Sequence, residues 1–343
     1  MSIDWPTRNV LETVGPLATK PGERVHGSID AGVAKIPLVA IAGVHPGPVL
    51  YVQALQHGLE LNGCDVMRRL IQHLDPSALS GTLILVPMAN PLAARVHMQS
   101  FPYPDRPTQR KINDMNRRWA DPIGGPNHVD QMVAALAPIV NLADAIIDLH
   151  CHEYLYSTMA MTNMQEPDCA EFALGMGFQH VSSGTGVAGM FGRYCRETLG
   201  KIVATVEMPP LRRVDPANSA IGFRGVINAL RSMGMLGGEP ELPPKTAIFG
   251  TAEQKSKTVL AEREGFMSRY VSGGEFVTEG QLAAEIWDPE EFRVAQEIRA
   301  PFDACITSIG RPPQTWGEPE HDFMNIDDRA VTFTVPSQII DRA

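Results

Sequence analysis

Two histidines stand close together in "VHPGPVLYVQALQHGLELNG", residues 44 to 63, and only one of them has a carboxylate at ligand spacing. A hydrolytic zinc site takes three ligands from His and carboxylate side chains and leaves the fourth position for water. His-x-x-Glu supplies two of these, because a residue and its third successor lie on one side of a helical turn. His57 meets this pattern with Glu60, and Gly58 between them permits a close backbone approach. His45 is followed at the same spacing by Pro48, which has no ligand atom, so "HPGP" reads as turn punctuation near the sheet edge, close enough for a pocket-lining role. A third ligand must come from another strand end, and "DAIIDLH" (144 to 150) offers His150. Strand alternation sets Asp148 on the same face, where it can orient the imidazole.

Positioning such residues takes a framework, and the chain supplies one. Apolar runs at 36–43, 49–55, 82–89, 144–150 and 202–208 alternate with helical spacing at 64–74, 129–140 and 167–177. This alternation predicts an α/β fold with a mixed or mostly parallel sheet, and the fully apolar strands require helices on both faces. The sheet edge at the carboxyl ends of the strands is where ligands bind in such folds. Gly and Pro crowd together in "GGEPELPPK" (237–245), a linker candidate. It divides an α/β domain at 1–240 from a β-rich domain at 246–343 whose strands end near residue 335.

The 343 residues are 44% hydrophobic and 20% charged, with a formal net charge of -10. That balance disfavours nucleic acid and anionic membranes as partners and leaves a small molecule as the expected one. No apolar run approaches the roughly 18 residues of a membrane span, and the first residues show no basic-then-apolar leader, so the expectation is a cytoplasmic protein. Five scattered cysteines without a C-x-x-C pair suggest packed, reduced thiols, Cys151 among them. The sequence is compatible with a homo-oligomer.

"QHGLELNG", "LSGTLILVPMANPLA", "NDMNRRW", "IIDLHCH" and "VATVEM" follow one another in an order and spacing that resemble the succinylglutamate desuccinylase and aspartoacylase family, the deacylating branch of zinc carboxypeptidase-like enzymes. The resemblance runs from about residue 25 into the β-rich tail. It implies a zinc carboxypeptidase-like mixed sheet flanked by helices, a smaller C-terminal β domain, and one Zn2+ per chain on His57, Glu60 and His150. Glu207 matches the family's catalytic glutamate, and an acid directly after "IVATV" is otherwise a costly intrusion at a sheet edge. Met208, Pro209 and Pro210 replace the small residue that often follows it, a change that bears on the pocket wall. Asn116 and Arg117 match the pair that grips a substrate carboxylate, for which the planar fork of Arg is suited, and Asp114 braces their loop. Arg110, with Arg106 as rival, matches an arginine that polarises the scissile carbonyl; Arg193 and Arg196 stand where a second substrate contact is expected.

The activity implied is zinc-dependent hydrolysis of a linear amide, deacylating a small, carboxylate-bearing N-acyl amino acid. Alternatives are a carboxypeptidase-like peptide hydrolase and a metal-binding protein without catalysis. His152 and the methionines of "MAMTNMQ" (159–164 for the Met positions) read as pocket wall or core.

Overall fold

The computed structural model describes residues 3–101, 110–120, 127–153, 157–310 and 321–342. Its centre is a ten-stranded mixed sheet. In chain order the strands are β1 (Arg24–Asp30), β2 (Lys35–Ala42), β3 (His45–Ala54), β4 (Ser80–Val86), β5 (Ala145–His150), β6 (Met159–Thr162), β7 (His180–Ser183), β8 (Ile202–Glu207), β9 (Lys245–Phe249) and β10 (Gln338–Asp341). Their spatial order is β10-β9-β7-β6-β8-β5-β3-β4-β2-β1. At the middle, β4, β3, β5 and β8 run parallel, while β6 pairs antiparallel with β8.

The helices that cover the sheet are α1 (Asn62–His73), α2 (His128–Val140), α3 (Pro167–Gly175), α4 (Phe191–Glu197) and α5 (Pro216–Ser232). Every residue of β5 is buried, as the near-continuous apolar strand required. Alternation then splits its side chains. Ala145, Ile147 and Leu149 join Ala204 and Val206 of β8 in a core with α1 and α5, built on Val66, Leu70, Val226 and Leu230. Ile146 and Val203 face the other way, onto Met132 and Leu136 of α2 and Phe191 of α4. Asp148, His150, Thr205 and Glu207 continue that second face toward the carboxyl ends of the strands, so the polar residues of "IIDLH" and "VATVE" share one side by the period of two.

After β9 the chain leaves this sheet and builds two four-stranded antiparallel sheets. One orders Ser256–Leu260, Arg329–Thr334, Ala304–Ile309 and Phe276–Val277, and the other Arg293–Arg299, Leu282–Asp288, Gly265–Arg269 and Phe323–Met324. Met267, Ile286, Ile298, Ile306, Val331 and Phe333 form their shared core. Sheet membership does not follow a division at 240–246: Lys245–Phe249 pairs with β7, and Gln338–Asp341, beyond the expected end near 335, returns to pair with β9. The β-rich part is therefore inserted between two neighbouring strands of the main sheet. No described helix is long and apolar enough to cross a membrane.

Candidate metal centre and adjoining cavities

Beyond Ala54 the backbone turns out of the sheet at Leu55, which takes a left-handed φ of 57°. His57 and Glu60 are not on a helix, contrary to the spacing argument. The Glu60 amide donates to the His57 carbonyl at 3.2 Å, which closes one isolated turn and still brings the two side chains to the same side. Gly58 is required there, since a Cβ would lie 2.3 Å from the Ala93 carbonyl. His150 arrives as the last residue of β5. The nitrogen and oxygen atoms that His57, Glu60 and His150 can offer lie within 4.8 Å of one another, and all three side chains are buried.

The two imidazoles are held alike. Nδ1 of His57 meets Glu60 Oε1 at 2.7 Å and Nδ1 of His150 meets Glu60 Oε2 at 2.8 Å. On the far side of each ring Nε2 contacts a carboxylate, Asp114 Oδ1 at 3.0 Å for His57 and Asp148 Oδ2 at 2.8 Å for His150. Carboxylate partners of this kind fix ring orientation and raise basicity where a histidine holds a metal. Asp114 therefore does more than brace its loop. Gln56 was not expected in the site at all. Its Nε2 donates to Asp148 Oδ2 at 2.8 Å, while its Oε1 accepts from Trp119 Nε1 at 2.7 Å. Gln53 donates to Asp148 Oδ1 at 3.1 Å, and the Tyr51 hydroxyl donates to Gln53 Oε1 at 2.9 Å. Two buried glutamines around an otherwise apolar strand in "YVQALQH" were the available signal.

Three buried carboxylates thus face two imidazoles. Burial alone pushes His57 down, but Glu60 and Asp114 outweigh it and raise its pKa to about 9. His150 is likewise raised against burial by Asp148 and Glu60. Burial would raise Glu60, yet the two histidines hold it down at about 2. The cluster gathers positive charge onto itself, and two imidazole nitrogens with a carboxylate form a donor set that could hold a divalent cation.

Glu207 ends β8 directly beside His150 in the parallel register. Its Oε2 is sealed from solvent and has no hydrogen-bond partner among the described residues. Burial, with Glu60 and Asp148 adding to it and the histidines opposing, raises its pKa to about 7. Two cavities meet there. One of about 170 Å³ is lined by His150, Glu207, Thr205, Asn116, Arg193 and Arg196 among others. The other, about 480 Å³, reaches from Glu207 across the sheet to the C-terminal β strands.

Asn116 follows Asp114, which caps the short 115–117 turn by accepting from the Asn116 amide at 2.9 Å. The Asn116 Oδ1 accepts from the Phe191 amide at 2.8 Å, and the residue lines the first cavity. Arg117 donates to the Asn116 carbonyl at 2.7 Å and has no carboxylate ion pair among the described residues. Arg193 lines the first cavity and pairs with Glu197 at 2.8 Å; Arg196 is engaged by Glu166 and Asp168. Arg110 opens a short helix, Arg110–Asn113, and Arg106 lies outside the described residues.

Other expectations resolve differently. His45 is exposed at the first position of β3, the opposite end of the strand from His57, so it lines neither cavity; "HPGP" is strand backbone with a register shift before Val49 instead of a turn. Met208 is buried in the core and the carbonyls of Pro209 and Pro210 are held by Asn62 Nδ2 at 2.9 and 3.2 Å, so these three residues do not wall the cavities at Glu207. His152 lines the larger cavity and stands outside the ligand cluster. Cys151 is a buried thiol pushed well up by burial.

The sheet with its buried His-Glu-His cluster defines a class of α/β protein whose strand ends gather a donor set that could hold a cation. Residues 46–233 match the sequence model of the succinylglutamate desuccinylase/aspartoacylase catalytic domain, and the chain belongs to that family. It is similar to the N-alpha-acetyl-L-2,4-diaminobutyric acid deacetylase of Halomonas elongata, with 25% identity over 290 residues, 81% of either chain. Among solved structures it is similar to a succinylglutamate desuccinylase/aspartoacylase from Rhodobacter sphaeroides (21% identity, TM-score 0.68, 97% of this chain and 99% of that one). It also resembles the ectoine utilization protein EutE (DoeB) from Ruegeria pomeroyi (20% identity, TM-score 0.67, 94% and 99%). These likenesses carry the fold.

Proposed function

We propose that the chain is a zinc-dependent amidohydrolase that removes the acyl group from a small, carboxylate-bearing N-acyl amino acid. The observation that carries the reading is the convergence of His57, Glu60 and His150 within 4.8 Å, next to a carboxyl oxygen of Glu207 that has no hydrogen-bond partner among the described residues. Family membership and the deacetylase similarity support the choice of an amide substrate.

His57, Glu60 and His150 would hold the zinc, and Asp114 and Asp148 would keep both rings in their ligating orientation. When bound, zinc supplies Lewis acidity, which makes water a better nucleophile and polarises the scissile carbonyl. Glu207 does the proton work. With its pKa near 7 it accepts a proton as the water oxygen bonds to the carbonyl carbon, then delivers it to the amide nitrogen as the carbon–nitrogen bond breaks, leaving a carboxylic acid and a free amine. Asn116 and Arg117 anchor the substrate carboxylate, Arg193 stands at the wall of the cavity that Asn116 lines, and the polarising of the scissile carbonyl is assigned to Arg110.

Metal analysis of the purified protein, combined with a hydrolysis screen over N-acyl amino acids and short peptides, tests the reading. Expected are one zinc per chain, turnover of N-acyl amino acids, and loss of turnover on chelation with recovery on adding zinc. Cleavage of peptides alone would replace the deacylase by a peptidase; full zinc without turnover of any amide would refute both.

A further inference from the structure

The larger cavity has a regular floor. Glu207 pairs with Met159 of β6, Met161 of β6 pairs with Ser182 of β7, and Ser182 pairs with Phe249 of β9. By alternation these side chains, with His180 two residues before Ser182, stand on one face of the sheet, the face that carries His150. They therefore make a row that starts at Glu207 and crosses three strand spacings, each about 4.8 Å. The roof is the strand Ala304–Ile309 with Thr334 of its neighbour, through Cys305, Ile306 and Thr307.

Among the described residues Glu207 is the one carboxylate of the lining, which holds no Lys or Arg. The body of the lining is Met159, Met161, Phe249, Cys305 and Ile306. His180 is stacked between the rings of Phe249 and Phe276 at 6.1 and 6.3 Å, with Nδ1 3.1 Å from Ser157 Oγ, and burial lowers its pKa. The guanidinium groups lie on the other side, where Arg193 and Arg196 line the smaller cavity. Glu207 sits at the junction, so a scissile amide beside it has on one hand a pocket lined by ion-paired arginines and carboxylates, and on the other a mostly apolar one. An ionised group placed in the second would lack a counter-charge.

We propose that the cavity between the sheet face and the C-terminal β strands is an acyl-chain subsite, and that the preferred substrates are amino acids carrying an uncharged, medium-length acyl group. This rests on the amidohydrolase reading and sharpens it: an acetyl group would leave most of the floor uncovered, and a succinyl group would bring a carboxylate to a wall whose described residues include no Lys or Arg.

The test separates binding from turnover. Acetate, hexanoate and succinate are titrated calorimetrically into the zinc-loaded full-length protein and into Ser182→Phe and Thr307→Phe, which narrow the cavity from opposite walls. Each buried methylene contributes about fourfold in affinity. Hexanoate should bind at least tenfold more tightly than acetate, succinate should gain nothing over acetate, and either variant should bring hexanoate back to the acetate level. Rates with N-hexanoyl-alanine and N-acetyl-alanine should follow the same ratio. Equal binding of acetate and hexanoate, or hexanoate binding unmoved in both folded variants, overturns the proposal. So does a gain in rate that follows the length of the amino-acid side chain instead of the acyl chain. If hexanoate binds as expected while no N-acyl amino acid is cleaved, the subsite stands and the hydrolase reading falls.

Discussion

Two neighbouring strands end side by side in opposite conditions. β5 ends in His150, whose ring nitrogens both meet carboxylates, at 2.8 Å each. β8 ends in Glu207, whose Oε2 is buried with no hydrogen-bond partner among the described residues. A polar group held at every atom is fixed in position, whereas one left open raises the energy of its charged form and keeps it responsive to protons. The pair teaches that this edge combines a rigid donor cluster with one deliberately unsatisfied acid, and each half can be broken separately.

Breaking the held half should have the largest effect. Glu60→Ala removes the carboxylate that both Nδ1 atoms face, and His150→Ala removes one of the donors. Either variant should purify with little or no zinc, measured by atomic absorption, and should have no detectable deacylase activity. Full zinc occupancy in Glu60→Ala would dismiss the cluster as the metal site.

Breaking the open half comes next. Glu207→Gln keeps shape and burial but cannot take a proton, so kcat should fall on the order of 10²–10⁴-fold while zinc content is unchanged. The same acid sets the pH profile. Because Glu207 must be ionised to accept a proton, kcat/KM should fall as pH drops below its pKa, about 7 in the metal-free site. A bound cation favours the ionised form and moves that acid limb lower, so a limb above pH 7 in the zinc enzyme would contradict the assignment.

A smaller effect separates position from chemistry within the held half. Asp148→Asn and Asp114→Asn each remove the charge behind one imidazole without emptying its place, and zinc affinity should weaken by roughly 10–100-fold. Activity should return with excess zinc. Recovery distinguishes these two from Glu60, where added metal has no complete donor set to bind.

Much of this contrast was legible in the chain. His57, Glu60, His150 and Glu207 could be placed because strand ends are marked by apolar runs and the period of two says which residues share a face. Asp148 followed from the same alternation. The role of Asp114 behind His57 was not visible, since it depends on how the loop before α2 folds back over the turn at 57–60, a contact between residues 57 positions apart. Gln56 was hidden for a similar reason: its partners Asp148 and Trp119 are remote in sequence. In the frame, α5 escaped the helical pattern because Gly222 and Gly225 interrupt its apolar stripe. Gly225 is there for packing, as a Cβ would lie 2.4 Å from Phe178 Cζ. The insertion of the β-rich part between β9 and β10 escaped because short edge strands such as "KTAIF" and "QIID" look like any other local β signal until their pairing is known.

The smallest expected effect concerns stability, and it has a sign that follows from the open acid. A carboxyl whose folded-state pKa is raised, here from 4.5 to about 7, binds its proton more tightly in the folded chain than in the unfolded one. Folding is therefore favoured when the group is protonated, and stability falls as pH rises from about 4.5 to 7, by up to about 3 kcal/mol for a shift of this size. Glu207→Gln is neutral throughout and does not suffer that fall. In zinc-free protein its Tm should match the parent near pH 5 and exceed it by a few degrees at pH 8. Zinc, by stabilising the ionised carboxylate, should narrow the gap. A variant less stable than the parent at pH 8 would mean that the Glu207 carboxylate is held by partners after all, and the contrast between the two strand ends would be lost.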